Sequence, residues 1–123
     1  MNISSNLKLE ELGMFLLGLY FFSTLSFAWW IFAALFFAPD LGMLGYLAGN
    51  KWGAFTYNLF HHKGLAIGLG FLGIALGINW LQLIGCVLFS HAAFDRVLGY
   101  GLKYEKGFQD THLGRIGKAK KTK

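Results

Sequence analysis

The chain has 123 residues and a formal net charge of +5, and apolar residues make up 55% of it. Charged residues contribute only 14%, whereas a soluble domain carries about 25%. The length allows a single domain, and the shortage of charge excludes an ordinary soluble one. The composition therefore predicts an integral membrane protein.

Two stretches of the chain are long and apolar enough to span a bilayer. Residues 12–39 hold no ionisable group except the Tyr20 phenol, and residues 64–90 hold none except the Cys86 thiol. Each stretch exceeds the roughly 18 apolar residues that mark a membrane span. The N-terminus has no cluster of positive charge, so we interpret the first stretch as mature protein rather than a signal peptide. A lone cysteine gives neither an intramolecular disulfide nor a cysteine-based zinc site.

Both apolar stretches are interrupted near the middle. Ser23–Ser26 interrupts the first and Gly77–Asn79 the second, and tryptophans follow at Trp29, Trp30 and Trp80, as is typical of membrane interfaces. An uninterrupted helix of about 27 residues would be about 40 Å long, which exceeds a bilayer core of roughly 30 Å. We therefore predict an all-α integral membrane bundle of four short transmembrane helices in two hairpins. The alternative is two long tilted helices with the middle segment on the membrane surface.

The predicted elements follow these interruptions. In chain order, the four helices cover residues 7–22, 27–38, 52–76 and 80–103, with a short extra helix at 41–47. The third helix continues through His61 and His62. Its residues Ala66, Gly70 and Gly73 belong to a stripe of small side chains, which indicates close helix packing. Residues 1–106 form the predicted transmembrane domain, and residues 107–123 form a basic cytoplasmic tail.

Positive charge lies on one side of this arrangement. The two hairpin turns carry no Lys or Arg, whereas the other side carries Lys8, Lys51, Lys63, Arg96, Lys103, Lys106 and the tail from Arg115 to Lys123. By the positive-inside rule, both termini are predicted to be cytoplasmic. We expect the tail to contact anionic lipid headgroups, with about 1 kcal/mol for each charge near the surface. No folded basic face accompanies the tail, so nucleic-acid binding is not expected.

Polar side chains gather at the cytoplasmic end of the second hairpin. Tyr57 and Asn58 lie one turn before His61 and share its helical face, and His91 and Asp95 are spaced i, i+4 on the fourth helix. Ionisable residues within membrane helices are expensive and are functional candidates by default. A turn at residues 78–79 brings these faces together. The sequence therefore predicts one polar layer, and Arg96 falls opposite His61 in it.

Two kinds of chemistry and one structural role fit this layer. His61, His91 and Asp95 are a ligand set found in many metal sites. The same groups suit a proton relay, because histidine titrates near neutrality. In the structural alternative, Asp95 and Arg96 pair or snorkel at the interface, and His91 bonds to the backbone or to Asn58.

A second group of polar residues, Asp110-Thr111-His112, follows the predicted fourth helix. Asp110 or Thr111 can cap a short helix there. In the other interpretation, His112 folds back over the same end of the bundle as a third imidazole. Asp110 and His112 are therefore included among the candidate site residues.

Four phrases cover most of these polar positions: Pro39–Tyr46 (PDLGMLGY), Tyr57–His61 (YNLFH), His91–Tyr104 (HAAFDRVLGYGLKY) and Asp110–Gly114 (DTHLG). They resemble the signature phrases of a family of small bacterial membrane proteins classed as a domain of unknown function. The resemblance extends over nearly the whole chain. It implies a bacterial multi-pass membrane protein, and it implies no activity. We expect the protein in the bacterial cytoplasmic (inner) membrane.

Three classes of function remain open from the sequence. The expected one is a non-catalytic membrane component, either a subunit beside a membrane partner or a homo-oligomeric scaffold. The second is a metal- or haem-dependent membrane enzyme that uses His61, His91 and Asp95. The third is a small proton-coupled carrier or channel. The cofactor is unknown, and a metal ion bound by the histidines is the candidate.

Overall fold

The computed structural model describes residues 2–104 and 110–115. Within these ranges the regular structure is helical apart from one short β-hairpin and one isolated β-bridge. The elements are α1 (Ile3–Ser23), α2 (Trp29–Leu35), a 3₁₀ helix (Ala38–Ala48), α3 (Asn50–Phe60), α4 (Lys63–Leu76), α5 (Asn79–Val97), β1 (Asp110–Thr111) and β2 (Gly114–Arg115). The two strands pair antiparallel. The predicted helical fold class is confirmed, while the greater part of the predicted basic tail, residues 107–109 and 116–123, lies outside the described residues.

The two interruptions seen in the sequence end helices, as predicted. At the end of α1 the Thr24 hydroxyl donates a hydrogen bond to the carbonyl of Phe21 at 2.6 Å, which satisfies one of the acceptors left open by the helix end. At the end of α4, Gly77 takes a left-handed conformation with φ +67°. The amide of Ile78 then donates to the carbonyl of Gly73 at 2.8 Å. This pattern is a common glycine cap, and it starts the turn into α5.

The predicted third helix, residues 52–76, is wrong as a single element. It is two helices, α3 and α4, which meet at an angle of 44°. His62 has an extended backbone, and its Nδ1 accepts a hydrogen bond from the amide of Leu65 at 3.0 Å. The side chain therefore acts as an N-cap and starts a new helix. The break places His61 at the end of α3 instead of mid-helix.

The predicted fourth helix, residues 80–103, extends too far. Helix α5 ends at Val97, because Gly99 takes φ +95° and the amide of Tyr100 donates to the carbonyl of Asp95 at 2.8 Å. This is a Schellman cap, in which a left-handed glycine closes the helix. The chain beyond it is not helical, and Lys103 forms an isolated antiparallel bridge with Thr111.

Small residues allow the helices to approach closely. A Cβ atom added to Gly85 of α5 would lie 2.6 Å from the amide nitrogen of Gly70 and 2.7 Å from the carbonyl oxygen of Ala66, both in α4. A Cβ atom on Gly18 of α1 would lie 2.0 Å from Oγ of Ser90. Contacts of this kind hold helices together where no hydrophobic force drives them. Helix α5 is therefore packed between α1 and α4.

The 3₁₀ helix lies along α3. The Thr56 hydroxyl donates a hydrogen bond to the carbonyl of Gly42, and a Cβ atom on Gly45 would lie 2.7 Å from the carbonyl of Trp52. A 3₁₀ run of 11 residues is unusually long. The sequence predicts only a short helix at 41–47 in this region. The packing brings the start of the 3₁₀ helix, with Asp40, toward the end of α3.

The apolar core is built by α1, α2 and α5. Its buried members are Phe22, Phe32, Phe36, Leu83, Cys86 and Val87. The thiol of Cys86 donates to the carbonyl of Gly18 at 3.2 Å. At one end of the core the ring of Phe36 lies 5.2 Å from the ring of His91. The core thus ends directly at the polar groups described below.

One helical segment of the described residues, Trp29–Ala48, is by itself long and apolar enough to cross a membrane, with a mean hydropathy of 1.7. Helices α3 and α4 meet the same criteria together, as one span bent at their junction. Large apolar side chains also remain exposed on the outside of the bundle, and Trp30, Phe71 and Leu47 are 71%, 68% and 89% exposed. The described part of the chain therefore has one candidate span, or two if the bent pair is counted.

Candidate metal centre

Four ionisable side chains from three elements converge at one end of the core. Asp40 comes from the first turn of the 3₁₀ helix, His61 from the end of α3, and His91 and Asp95 from one face of α5. Each offers one ligand atom, and these atoms lie within 4.8 Å of one another. We call this group the Asp–His cluster. It can hold a metal ion.

The nitrogen and oxygen atoms of the cluster alternate around a ring. Nε2 of His61 lies 3.3 Å from Oδ1 of Asp40 and 3.1 Å from Oδ2 of Asp95. Nε2 of His91 lies 3.1 Å and 3.5 Å from the same two oxygens. Metal–ligand bonds of about 2.0–2.2 Å separate tetrahedral ligand atoms by about 3.3–3.6 Å. The four nitrogen–oxygen spacings fall close to this range, which is compatible with a single ion between the four atoms.

His61 is held in the tautomer that a metal requires. Its Nδ1 lies 2.8 Å from the carbonyl oxygen of Tyr57, to which it donates its proton. In a neutral imidazole this hydrogen bond leaves the lone pair on Nε2, which is buried and makes no hydrogen bond. In metal-binding imidazoles the N–H group of the second nitrogen commonly donates a hydrogen bond to a carbonyl in this way. An unprotonated nitrogen facing two carboxylates is unfavourable unless a cation lies between them.

His91 is as deeply buried as His61, but the surroundings of its Nδ1 atom differ. Its Nε2 lies within hydrogen-bonding distance of Asp40 Oδ1, at 3.1 Å, so that a proton on Nε2 bridges the two when no ion is bound. Its Nδ1 has no hydrogen-bond partner among the described residues. The side chain of Asp40 is 33% exposed, compared with 15% for Asp95 and 1% for His91. The cluster therefore opens to the outside along Asp40.

Tyr57 and Lys103 form a second layer around the cluster. The Tyr57 hydroxyl donates to Oδ2 of Asp95 at 3.2 Å, and its ring stacks on His61 with centroids 3.9 Å apart. Nζ of Lys103 lies 4.6 Å from the centre of the Tyr57 ring, in a cation–π contact. Burial lowers the pKa of Lys103 from 10.5 to about 8, although Asp95 and Asp40 attract the ammonium and oppose the shift.

Two further side chains fix the backbone beside the cluster. Nη2 of Arg96 donates to the carbonyl of His61 at 3.0 Å, which satisfies an acceptor at the end of α3. The Asn58 amide donates to the carbonyl of Lys103 at 2.7 Å and accepts from its backbone amide. The segment after α5 is thereby attached to α3.

The structure brings together most of the candidate residues chosen from the sequence: Tyr57, Asn58, His61, His91, Asp95 and Arg96. His112 lies apart from the cluster. It is exposed, and its Nδ1 accepts a hydrogen bond from the amide of Leu102 at 2.8 Å. Burial lowers the pKa of His112, and the charge of Arg96 adds to the effect. The backbone of Asp110 forms part of β1, and its side chain lies outside the described part of the structure.

Sequence reasoning missed Asp40 and Lys103 as members of the site. Asp40 is the first carboxylate after Glu11 and directly follows Pro39, so a lone acid at the end of a long apolar run is the signal that could have found it. Lys103 gave no such signal, because it resembles any other lysine near a membrane surface. Its burial depends on the fold of residues beyond α5.

A family model described as Domain of unknown function (DUF4260) matches residues 4–116. The matched range contains all four members of the Asp–His cluster, as well as Tyr57. No curated protein and no solved structure matches the chain.

Proposed function

The chain belongs to the family described as Domain of unknown function (DUF4260), and from its geometry we propose that it is a metal-binding membrane protein. In this proposal the Asp–His cluster holds one divalent transition-metal ion. The observation that carries the proposal is the state of His61. Its Nε2 has no hydrogen bond, its Nδ1 is committed to a carbonyl, and two carboxylate oxygens lie within 3.3 Å of Nε2.

The donor set favours an ion of intermediate softness. Imidazole nitrogen suits zinc, iron, nickel and copper, whereas magnesium and calcium prefer sites made entirely of oxygen. Two nitrogens and two oxygens, with each nitrogen 3.1–3.5 Å from both oxygens, suit Zn²⁺ best. The two carboxylates also balance the charge of a divalent ion. We therefore propose Zn²⁺ as the ion that the cluster binds in preference to Mg²⁺ or Ca²⁺.

Metal analysis of the full-length protein in detergent tests this proposal. After loading with Zn²⁺ and removal of excess metal, we expect about one ion per chain by mass spectrometry. His61→Ala should lose the ion. His62→Ala is the matched control, because the neighbouring imidazole accepts from the Leu65 amide and lies outside the cluster. Wild-type protein without bound zinc, or equal zinc in His61→Ala, would contradict the proposal.

The membrane arrangement is a second part of the proposal. We propose that α1, α2 with the 3₁₀ helix, α3 with α4, and α5 cross the bacterial inner membrane, with both termini in the cytoplasm. The apolar Trp29–Ala48 segment, the bent α3–α4 pair and the exposed apolar side chains support it. The break between α3 and α4 and the change from α2 to the 3₁₀ helix both lie close to members of the Asp–His cluster. Interrupted helices within a membrane are tolerated where they line such a site.

Cysteine labelling tests this arrangement. In a Cys86→Ala background, a cysteine at Asn79 should react with a membrane-impermeant maleimide added outside spheroplasts. A cysteine at Lys123 should react only after the membrane is opened. Reaction at residue 79 from the cytoplasmic side alone would overturn the four-span topology.

The basic tail and the exposed apolar surface support a role in assembly. We propose that the tail contacts anionic headgroups, and that a second copy or another membrane protein covers part of the bundle. A metal-holding subunit of this kind needs no catalytic activity of its own. Crosslinking in native membranes measures its association. A chain recovered only as a monomer would remove this part of the proposal and leave the metal site standing.

A further inference from the structure

The 3₁₀ helix has a repeat of three residues in its sequence. Residues 41–49 read Leu-Gly-Met, Leu-Gly-Tyr and Leu-Ala-Gly. Because a 3₁₀ helix has three residues per turn, side chains three positions apart lie directly above one another. A Cβ atom added to Gly42 would lie 2.8 Å from the carbonyl oxygen of Thr56, so the small residues of the repeat face α3. The leucines form a separate, exposed ridge, which we call the Leu ridge. Its members are Leu41, Leu44 and Leu47.

Helix α3 carries an apolar stripe of its own. Three large exposed side chains at positions i, i+3 and i+7 share one helical face. We call them the α3 stripe: Trp52, Phe55 and Leu59. Another face of α3 is occupied inside the protein, because Tyr57 donates to Asp95 and Asn58 binds the backbone of Lys103. The hairpin made by the 3₁₀ helix and α3 therefore presents apolar side chains from both of its helices to its surroundings.

The hairpin carries almost no charge. Lys51 is the one charged residue between positions 41 and 60, and it is exposed near the start of α3, beside Trp52. An apolar surface with a tryptophan and a lysine at its end is typical of elements that lie in a membrane interface. The hairpin sequence contains no Asp or Glu between positions 41 and 60, so its charge complements anionic headgroups.

The lengths of α3 and α4 place this hairpin at membrane depth. Helix α4 has 14 residues and is about 21 Å long, which is shorter than a bilayer core of about 30 Å. Helix α3 has 11 residues, and its bend of 44° limits its rise along the α4 axis to about 12 Å. Together they rise about 33 Å. When the far end of α4 lies at one boundary of the core, the start of α3 therefore lies at the other.

We propose that the apolar surface of the 3₁₀–α3 hairpin lies in the cytoplasmic leaflet, with the Leu ridge and the α3 stripe against acyl chains and Lys51 at anionic headgroups. The inference rests on the membrane arrangement proposed above and assigns lipid, not a second copy of the chain, as the partner of this surface. It does not depend on the metal ion. Asp40 and His61 lie at the two ends of the hairpin, so the hairpin forms a lipid-facing wall beside the Asp–His cluster.

Tryptophan fluorescence in vesicles tests the position of the Leu ridge. The full-length protein, with its four tryptophans replaced by Phe, receives a single tryptophan by Leu44→Trp and is reconstituted with lipids brominated along the acyl chain. We expect the brominated lipid to quench this tryptophan and acrylamide in the water to leave it largely unaffected. Phe71→Trp is the matched control, because Phe71 is exposed on the proposed spanning helix α4.

A second measurement tests the role of Lys51. In a protein that keeps Trp52 and has Phe at the other three tryptophan positions, brominated phosphatidylglycerol is compared with the same fraction of brominated phosphatidylcholine. We expect the anionic lipid to be enriched about fivefold beside Trp52. Lys51→Gln should abolish this preference. Lys8→Gln, which removes an exposed lysine of α1, should keep it.

The outcomes are distinct. Quenching of Leu44→Trp by acrylamide instead of lipid would place the hairpin in water and overturn the inference. Protection from both quenchers would show that protein covers the Leu ridge, as in a second copy of the chain, and would also overturn it. An anionic preference that persists in Lys51→Gln would overturn the assignment of the headgroup to Lys51. Failure of lipid to quench Phe71→Trp would remove the proposed membrane arrangement itself.

Discussion

The hydroxyl of Tyr57 donates a hydrogen bond to Oδ2 of Asp95 at 3.2 Å, linking α3 to α5. That oxygen is also the Asp95 atom nearest to both histidines of the cluster. In the proposed metal site, Tyr57 therefore acts through Asp95, as a positioning residue. Partners of this kind orient metal ligands, and their loss typically lowers metal affinity 10- to 100-fold.

Replacement of Tyr57 by Phe should weaken zinc binding by about that factor. The ring that stacks on His61 is kept, and the hydrogen bond to Asp95 is lost. Competition with a chelator of known affinity measures the change. Tyr100→Phe is the control, because Tyr100 is 43% exposed. Equal zinc affinities in the two variants would show that the hydroxyl does not position Asp95.

Replacement of Asp95 by Ala should lower the stability of the protein even without metal. The change removes the carboxylate that accepts a hydrogen bond from the Tyr57 hydroxyl. It also removes the negative charge that lies beside the two buried histidines. Removal of one partner from a buried charged network can cost several kcal/mol. Thermal unfolding in detergent with a chelator present measures the effect, and Asp95→Asn should be milder. An unchanged unfolding temperature in Asp95→Ala would count against a folding role.

Two glycine substitutions should have opposite effects. Gly85→Ala places a methyl group 2.6 Å from the backbone nitrogen of Gly70, so α4 and α5 must move apart. Gly13→Ala meets no atom within 4 Å and should stabilise α1 by up to about 1 kcal/mol, because alanine favours helices. Unfolding temperatures in detergent compare the two variants. If both were stabilised, the close α4–α5 contact would be wrong.

Lys103 should make stability depend on pH in the alkaline range. Its folded pKa of about 8 lies below the ordinary 10.5, so the unfolded chain binds more protons between these values. Stability contributed by this group therefore rises with pH across that window. Asp95 and Asp40 face the ammonium and oppose the shift. Relative to Lys103→Met, the wild-type protein should gain stability from pH 7 to pH 10 in unfolding experiments on metal-free protein. If the unfolding free energies of the wild type and of Lys103→Met changed equally with pH, a lowered pKa of Lys103 would be excluded.

The sequence predicted those features of the fold that depend on local chemistry. Gly77 can adopt the left-handed conformation that ends α4. At the end of α1, the hydroxyls of Ser23 and Thr24 donate hydrogen bonds to carbonyls of the last turn of that helix. The break between α3 and α4 was not predicted, because histidine is an uncommon N-cap. The hydrogen bond from the Leu65 amide to His62 Nδ1 is visible only in the structure. The end of α5 had a local signal, Gly99, which was not given enough weight.

The candidate site was predictable to the extent that helical spacing determines it. His91 and Asp95 share a face because they are four residues apart, and the hairpin turn brings His61 to them. Asp40 depends on a different relationship, the path of an unusually long 3₁₀ helix against α3. No periodic pattern encodes that path, so the fourth member of the cluster was found only in the structure.

The distribution of the cluster along the chain has a consequence for biosynthesis. Asp40 and His61 are 21 positions apart, and His91 follows 30 positions later, in α5, the last helix of the described residues. An ion that joins them acts as a cross-link closing two loops, and such links reduce the entropy of the unfolded chain. The emerging chain cannot complete the cluster until α5 has entered the bundle. Retention of the proposed metal ion would therefore serve as a checkpoint, separating fully assembled molecules from those in which α5 has not joined the bundle.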